Sequence, residues 1–261
     1  SKIENKQLIA CCNFIYLQTI FTMKKLILFF SILFCCFGIS RAQINELGVF
    51  AGGNNFIGDI GSTNYIYPNS MAYGVVYKWN AHPRYSLRAN YIYSKIEGDD
   101  ADSGNSYREF RGWNFSSPTH EISAGMEFNF FKYNLSRLGY RQTPYINVGA
   151  SVAFSNVTSN QTIADPYGGT ITNTITGNII TYSIPVGIGY KFPLWHNIGM
   201  GIETSFRYTF RDDMDGYPYD STDTAGNTVT IGNSNGNDWY VFTGITIVYA
   251  FGREGCYTGN F

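Results

Sequence analysis

The chain has 261 residues and a formal net charge of −1, and 17% of it is aromatic whereas only 14% is charged. A soluble domain usually carries about 25% charged residues, so this composition is unusual for one. With no strong basic patch, nucleic acid is disfavoured as a partner.

The N-terminal region has the features of a processed export signal. From Met23 the chain has two lysines, an apolar run, and then the small residues Ser40 and Ala42 at the spacing that signal peptidase requires. The run is shorter than the about 20 residues of a membrane-spanning helix. We therefore predict a signal peptide over 23–42, cleaved after Ala42, and interpret 1–22 as a spurious upstream translation. An uncleaved anchor helix is the alternative.

Eight segments of the predicted mature chain alternate apolar with polar or small residues, which is the period of a β-strand. They lie at about 45–56, 71–79, 85–95, 119–131, 145–155, 180–191, 198–210 and 239–251. Each is long enough for a tilted strand to cross a bilayer, and aromatic residues gather near the segment ends, as in an interfacial girdle. We predict an all-β fold, an eight-stranded antiparallel transmembrane β-barrel of outer-membrane type over 43–252, followed by a periplasmic tail over 253–261.

The predicted connections alternate in length. Those at 80–84 and 192–197 are short, and the one at 132–144 is intermediate. The other four are long and polar: 57–70, 96–118, 156–179 and 211–238. Long outer loops that alternate with short periplasmic turns are typical of outer-membrane barrels.

The polar face of the segments carries small residues and eight charges of mixed sign: Glu46, Lys78, Arg88, Glu121, Glu127, Lys191, Glu203 and Arg207. The interior of an eight-stranded barrel is just wide enough for side chains. We therefore predict a network of paired charges that plugs the lumen. A proton or small-ion path along these residues is one alternative. A soluble sandwich or lipocalin-type barrel is another, because a period of two does not tell which face is outside.

Candidate chemistry is sparse. The three histidines, His82, His120 and His196, are predicted at different ends of the barrel. A metal site needs clustered ligands, so these histidines are not expected to form one. Asp213-x-Asp215-Gly216 resembles half of a calcium loop without its closing Glu, and a solvated acidic loop is the favoured interpretation. We predict a non-enzymatic protein with no metal, cofactor or small-molecule substrate, with a catalytic pair of His120 and Glu121 as the alternative.

The predicted periplasmic side carries one cysteine and one basic turn. Cys256 is the sole cysteine of 43–261, so that region can form no internal disulfide. Both a free thiol and an intermolecular disulfide at Cys256 are compatible with the sequence. The basic residues Lys132, Arg137 and Arg141, together with Cys256, are the predicted contact with a periplasmic partner.

A resemblance to a known family is carried by the first strand and loop, which contain Gly52-Gly53-x-x-x-x-Gly58-Asp59, and by the final Cys256-Tyr257-Thr258. These stretches resemble a family of small outer-membrane barrels from Bacteroidetes and flavobacteria. It is catalogued as a domain of unknown function and includes the PorG-type component of the type IX secretion system. The resemblance implies a barrel that contacts periplasmic ring proteins of that machine.

Three functions follow as expectations. The first is a structural or adaptor barrel, PorG-like, whose partners are outer-membrane lipids and periplasmic secretion-ring proteins. The second is a surface-exposed binding or adhesion barrel that acts through the four long loops. The third is a narrow porin-like channel, and a membrane-embedded hydrolase is the alternative from another class.

Overall fold

The computed structural model describes residues 44–62, 64–133, 135, 142–164, 170–216, 220–222, 228–230 and 237–252. The predicted signal peptide, the tail with Cys256, and Arg137 and Arg141 lie outside the described residues. Strands β1 to β5 are Ile44–Ile57, Ser70–His82, Tyr85–Asp99, Asn114–Asn129 and Thr143–Ala164. Strands β6 to β10 are Thr170–Trp195, Ile198–Thr209, Asp220–Thr222, Thr228–Thr230 and Trp239–Gly252. A 3₁₀ turn at Asp100–Asp102 and the helix α1 at Ser106–Arg111 lie between β3 and β4.

Eight of these strands form one closed barrel in the order β1-β10-β7-β6-β5-β4-β3-β2, and every neighbouring pair is antiparallel. All eight segments predicted from the sequence are barrel strands, which confirms the predicted fold. The remaining strands, β8 and β9, form a separate two-stranded sheet. Within the described part of the chain, no helix has the length and hydropathy needed to cross a bilayer.

The polarity of the barrel is the reverse of that of a soluble protein. On β1, Leu47 and Val49 are 50% and 57% exposed on the outside, whereas Glu46 and Phe50 point inward and are 1% and 4% exposed. The other barrel strands follow this alternation because successive strand residues face opposite sides of a sheet. Exposed aliphatic side chains form an outer belt: Val75, Leu87, Ile122, Met126, Val148, Val186, Ile188, Ile202, Ile245 and Ile247. This arrangement excludes the predicted alternative of a soluble sandwich or lipocalin-type barrel, whose apolar face would point inward.

Exposed aromatic side chains border the belt at both ends. At the end with the short connections, called the turn end here, they are Tyr77, Tyr85, Phe130, Phe131, Tyr190, Trp195, Tyr249 and Phe251. At the opposite loop end they are Tyr73, Tyr91, Tyr93, Phe154, Tyr182, Phe210 and Trp239. Such rings suit the two interfaces of a bilayer, because their apolar bodies and polar tips both find suitable surroundings there.

The structure differs from the sequence-based expectation mainly in the long connections. Strands β5 and β6 run through most of the predicted loop at 156–179, because residues 156–164 and 170–179 are rich in Thr, Ile and Val and contain no charge or proline that would interrupt a strand. The predicted loop at 96–118 contains a short helix, which begins at the cap Asn105 and ends at Gly112 in the left-handed conformation. These two loops are thus structured extensions of the barrel.

Candidate functional site

The interior of the turn-end half is organised around one carboxylate. Glu127 on β4 lies 2.8 Å from Lys78 on β2 and 2.5 Å from Lys191 on β6, and Arg88 on β3 approaches it to 3.6 Å. All four side chains are buried. A buried charge is tolerated only when opposite charges replace the lost water, and here one acid holds three bases from three other strands.

Two further ion pairs occupy the middle and the loop-end half. Arg88 also pairs with Glu203, whose carboxylate accepts a hydrogen bond of 2.6 Å from the hydroxyl of Tyr145. Glu121 lies 3.2 Å from Arg207 and accepts a second hydrogen bond of 2.6 Å from the Tyr240 hydroxyl. The structure thus brings seven of the eight predicted interior charges into two groups, one of five charges joined through Arg88 and one pair, Glu121 with Arg207.

The eighth interior charge, Glu46, is placed differently. It lies opposite Lys78 in the register of β1 and β2, and its Oε1 accepts a hydrogen bond of 2.8 Å from Asn80. Its Oε2 is buried without a hydrogen-bond partner among the described residues. Glu46 therefore stands at the rim of the network rather than inside it.

Side chains fill the space between these groups. One cavity of about 20 Å³ lies between Arg88, Glu203 and Arg207, and another of about 10 Å³ lies beside Lys78 and Lys191. A space of this size holds about one water molecule. Arg207 additionally stacks on Phe242, with its guanidinium carbon 4.4 Å from the ring centre. Each of these two cavities is therefore too small for a hydrated ion.

The turn between β4 and β5 closes the turn end of the barrel. Tyr133 and Leu135 are buried there and pack with Ile44 and Val248. The Lys191 ammonium lies 4.4 Å from the centre of the Tyr133 ring, a cation–π contact. We call Tyr133 and Leu135 the turn plug. Of the residues predicted to contact a periplasmic partner, Lys132 is exposed beside this plug.

At the loop end, Asp100 joins three segments of chain. Its buried carboxylate accepts hydrogen bonds from Arg111 at 2.7 and 3.0 Å and from the backbone N–H groups of Gly61 and Trp113 at 3.2 and 3.1 Å. Arg111 also stacks on Trp113 at 4.3 Å. The loop after β1, the 3₁₀ turn and helix α1 are thereby fixed to one another, and we call this assembly the outer cap.

The glycine motif of the first strand and loop has a structural explanation in this cap. A Cβ at Gly58 would lie 2.4 Å from both the Asp238 carboxylate and the Phe56 ring, so a larger residue does not fit. The carbonyls of Gly58 and Asp59 accept hydrogen bonds from Arg108 and Arg111 at 3.2 and 2.8 Å. The Gly58-Asp59 part of the motif is thus the docking point of helix α1.

Helix α1 presents two aromatic side chains outward. Arg108 and Arg111 hold one side of the helix against the loop after β1, whereas Tyr107 and Phe110 are 74% and 87% exposed. Residues three apart share a helix face, so the two rings form one exposed patch. This helix was not predicted from the sequence, although Asn105 and Gly112 are cap residues that indicate a short helix.

The predicted solvated loop at 211–238 is partly buried. Asp213 pairs with Arg211 at 2.5 Å, but Asp215 and Asp238 are both 1% exposed. Burial, reinforced by the charge of Asp215, raises the pKa of the Asp238 carboxyl well above its usual range. Among the described residues, no group of three or more His, Cys, Asp and Glu side chains could hold a metal ion.

The three histidines lie apart, as the sequence predicted. His82 and His196 are exposed at the turn end. His120 is exposed on the outer wall, with its Nδ1 2.8 Å from the Tyr91 hydroxyl and its ring 4.9 Å from the Tyr93 ring. Glu121 points into the lumen toward Arg207, so the two members of the alternative catalytic pair face opposite sides of the wall.

The family model described as Domain of unknown function (DUF6089) matches residues 24–260. The chain therefore belongs to this family. No curated protein matches it in sequence.

Several solved barrels are similar in structure. Ail, the attachment invasion locus protein of Yersinia pestis, is 9% identical, with a TM-score of 0.42 over 81% of this chain and 100% of that one. The N-terminal β-barrel domain of Pseudomonas aeruginosa OprF is 10% identical, with a TM-score of 0.39 over 81% and 98%. CarO of Acinetobacter baumannii is 17% identical, with a TM-score of 0.41 over 78% and 97%. Because these likenesses are weak, the fold assignment rests on the strand pairing.

Proposed function

We propose that this DUF6089 protein is a non-enzymatic outer-membrane barrel, closed to solute transport, that serves as a structural or adaptor protein through contacts at its two ends. The observation that carries the proposal is the reversed polarity of a filled barrel. Its outside is an aliphatic belt between two aromatic girdles, and its inside is paired charge. Such a belt is costly to expose to water, and closed barrels satisfy every backbone hydrogen bond within a bilayer.

The finer form of the proposal is a PorG-like role in the type IX secretion system, with docking of periplasmic ring proteins. The glycine motif and the DUF6089 match support it, because the motif resembles a family that includes such a component. The exposed Lys132 supports a docking surface at the turn end, since it lies on the surface of the protein beside the turn plug.

Affinity purification tests this role. Tagged protein, cross-linked in the membranes of its own cells and then solubilised, should recover periplasmic secretion-ring proteins. Replacing Lys132, Arg137 and Arg141 with Glu should abolish recovery, whereas replacing the outer-cap residues Tyr107 and Phe110 with Ser should leave it unchanged. Recovery that is unaffected by the three Glu substitutions, or that contains no ring protein, would refute the adaptor role at this turn.

A second candidate function is surface binding, favoured by the exposed patch of Tyr107 and Phe110. Exposed aromatic residues on a rigid support are typical anchors of a binding surface, because little conformational entropy is lost on binding. Cells that display the protein with both Tyr107→Ser and Phe110→Ser should attach less strongly than cells that display the wild type to any surface that the wild type binds. The Lys132 variant should attach normally, which separates this role from the first.

Closure of the lumen has its own test. Purified protein in a planar bilayer should give no steady ion conductance, because the charge network and the turn plug fill the interior. Reproducible conductance steps would favour the narrow channel instead.

A further inference from the structure

The barrel wall has a step between β6 and β7. The ladder between these strands ends at Ser183 opposite Thr209, and one further backbone hydrogen bond runs from Phe210 N–H to the Tyr182 carbonyl at 3.2 Å. Strand β6 nevertheless begins at Thr170. The segment from Thr170 to Thr181 therefore extends beyond the last residue of β6 that contacts β7, and β7 does not pair with it.

The sheet behind this segment is well supported. β6 pairs with β5 throughout the segment, and β5 pairs with β4 as far as Asn160 opposite Asn114. At that level, Asn160 donates a hydrogen bond of 3.1 Å to the Asn114 side chain and accepts one of 2.9 Å from Thr174. This side-chain ladder joins three strands, and β4 pairs onward with β3. Residues 174–181 are thus the edge of a four-stranded sheet.

The free side of this edge has a defined pattern of backbone groups. The Tyr182 carbonyl faces β7, and in an antiparallel strand alternate residues direct both backbone groups to the same side. The N–H and C=O groups of Thr174, Thr176, Asn178 and Ile180 therefore point away from β5. In the part of the chain that the structure describes, no backbone hydrogen bond other than those of the β5–β6 ladder involves residues 174–181.

Residues 211–216, which follow β7, do not continue along this edge. Met214 is buried in the core cluster that also contains Val157, and its N–H donates to the Asp238 carboxylate at 2.9 Å. Residues 211–216 are thereby folded over the mouth of the barrel, and among the described residues no strand pairs with β6 at the point where β7 would have continued.

The sequence of the edge carries no protection against pairing. Natural edge strands are usually guarded by charges, proline or bulges. The segment 170–181 reads TITNTITGNIIT, with Thr or Ile at nine of its 12 positions and with no charge and no proline. β-branched residues favour the extended conformation, so the segment is suited to receive another strand.

We propose that this edge binds an extended, uncharged, β-branched segment of another protein as an added strand, antiparallel to β6. The added strand takes the position that β7 vacates and so continues an existing ladder. A second copy of the chain does not fit this role. Two copies in one membrane have the same orientation, so their β6 strands would run parallel, which is the weaker pairing.

A synthetic peptide can serve as the probe because it is free to orient either way. The full chain is reconstituted in phosphatidylcholine vesicles, and a labelled peptide TITNTITGNIIT with blocked ends is titrated. We expect saturable binding, with an infrared shift of a ¹³C-labelled peptide carbonyl into the β-sheet region. Thr176→Pro removes one outward N–H and should weaken binding about tenfold, the value of about one backbone hydrogen bond. The matched control Thr176→Val keeps the N–H and should bind normally.

Two further arms keep the result decisive. If Thr176→Pro fails to fold, as judged by the heat-dependent gel shift of the barrel, Thr174→Lys with Thr176→Lys tests the same edge through charge. Equal binding by the edge variants and the wild type, or no saturable binding at all, overturns the proposal. Binding that requires deletion of residues 217–236 also overturns it, because the chain's own loop would then be the occupant.

Discussion

The guanidinium of Arg207 on β7 meets the carboxylate of Glu121 on β4 across the lumen at 3.2 Å, and both side chains are buried. Two charges withdrawn from water in this way stabilise the barrel little relative to a well-packed apolar pair. Each of them nevertheless depends on the other. Loss of one partner leaves an uncompensated charge in the interior, whereas replacement of both partners by apolar residues does not. The difference in the free energy of unfolding between the two kinds of variant can be measured.

Glu121→Ala should lower the free energy of unfolding by about 3–5 kcal/mol, because Arg207 is then buried and unpaired. The double variant Glu121→Met with Arg207→Met should recover most of this loss. Urea unfolding of the detergent-refolded barrel, followed by tryptophan fluorescence, measures both. Glu97→Ala breaks the partly exposed pair with Lys95 and should cost less than about 1 kcal/mol. A single variant as stable as the double would contradict the dependence.

Gly199 makes room for the turn plug. A Cβ at this position would lie 2.7 Å from the Tyr133 hydroxyl and 2.9 Å from Leu135 Cδ1. Gly199→Ala should therefore displace the plug and lower the free energy of unfolding by about 1 kcal/mol or more. Leu135→Ala alone leaves a cavity, but in the double variant the two changes should partly compensate. A double-mutant cycle by urea unfolding checks this, and strictly additive losses would show that the two residues do not meet.

The barrel itself could be predicted from the sequence because a strand exposes its two faces in strict alternation. That alternation placed Glu127 and Glu203 on the same side as Lys78 and Arg88, and the structure puts all four inside. Which acid contacts which base depends on the barrel register and the strand tilt, and neither can be predicted from the sequence of a single strand. Tyr145 and Tyr240 could not be foreseen as partners of the buried acids for the same reason.

The connections were less predictable because their structure depends on distant contacts. Asp100 lies in the predicted long, polar loop at 96–118, yet it is buried by Arg111 and by the loop after β1. Tyr133 lies in the predicted connection at 132–144, yet it is buried against strand residues Ile44 and Val248. Neither residue lies in a periodic segment, so no local pattern signals its burial.

Arg111 is the residue on which the outer cap depends. Its guanidinium makes two hydrogen bonds to Asp100 and one to the Asp59 carbonyl. A lysine keeps the charge but cannot form this fork, so Arg111→Lys should loosen helix α1 and the loop after β1. Hydrogen exchange of residues 57–62 and 100–112 should accelerate by about tenfold, the value of one to two lost hydrogen bonds. Exchange in the barrel strands should not change.

Arg84→Lys, at an exposed position of the turn end, is the matched control and should leave the cap unchanged. If Arg111→Lys exchanges like the wild type, the cap is held by Trp113 and the backbone instead. Acceleration in all strands would show that Arg111 supports the whole barrel rather than one end of it.

The loop end should respond to pH through Asp212. Burial, together with the charges of Asp59 and Asp213, raises the pKa of its carboxyl to about 6. Its Oδ1 is buried without a hydrogen-bond partner among the described residues. Between the usual pKa of about 3.9 and the raised value, the folded loop binds a proton that the unfolded loop does not, so its stability should rise as the pH falls through this window.

Asp212→Asn removes this titration. The variant should protect residues 211–216 from hydrogen exchange better than the wild type at about pH 7.5, and the difference should shrink at about pH 5, once intrinsic exchange rates are corrected. The exposed Asp102→Asn is the control and should leave both values unchanged. Residual pH dependence in the variant is expected from Asp238, whose pKa is also raised by burial. A difference between wild type and variant that stays constant across this pH range would show that Asp212 does not titrate there.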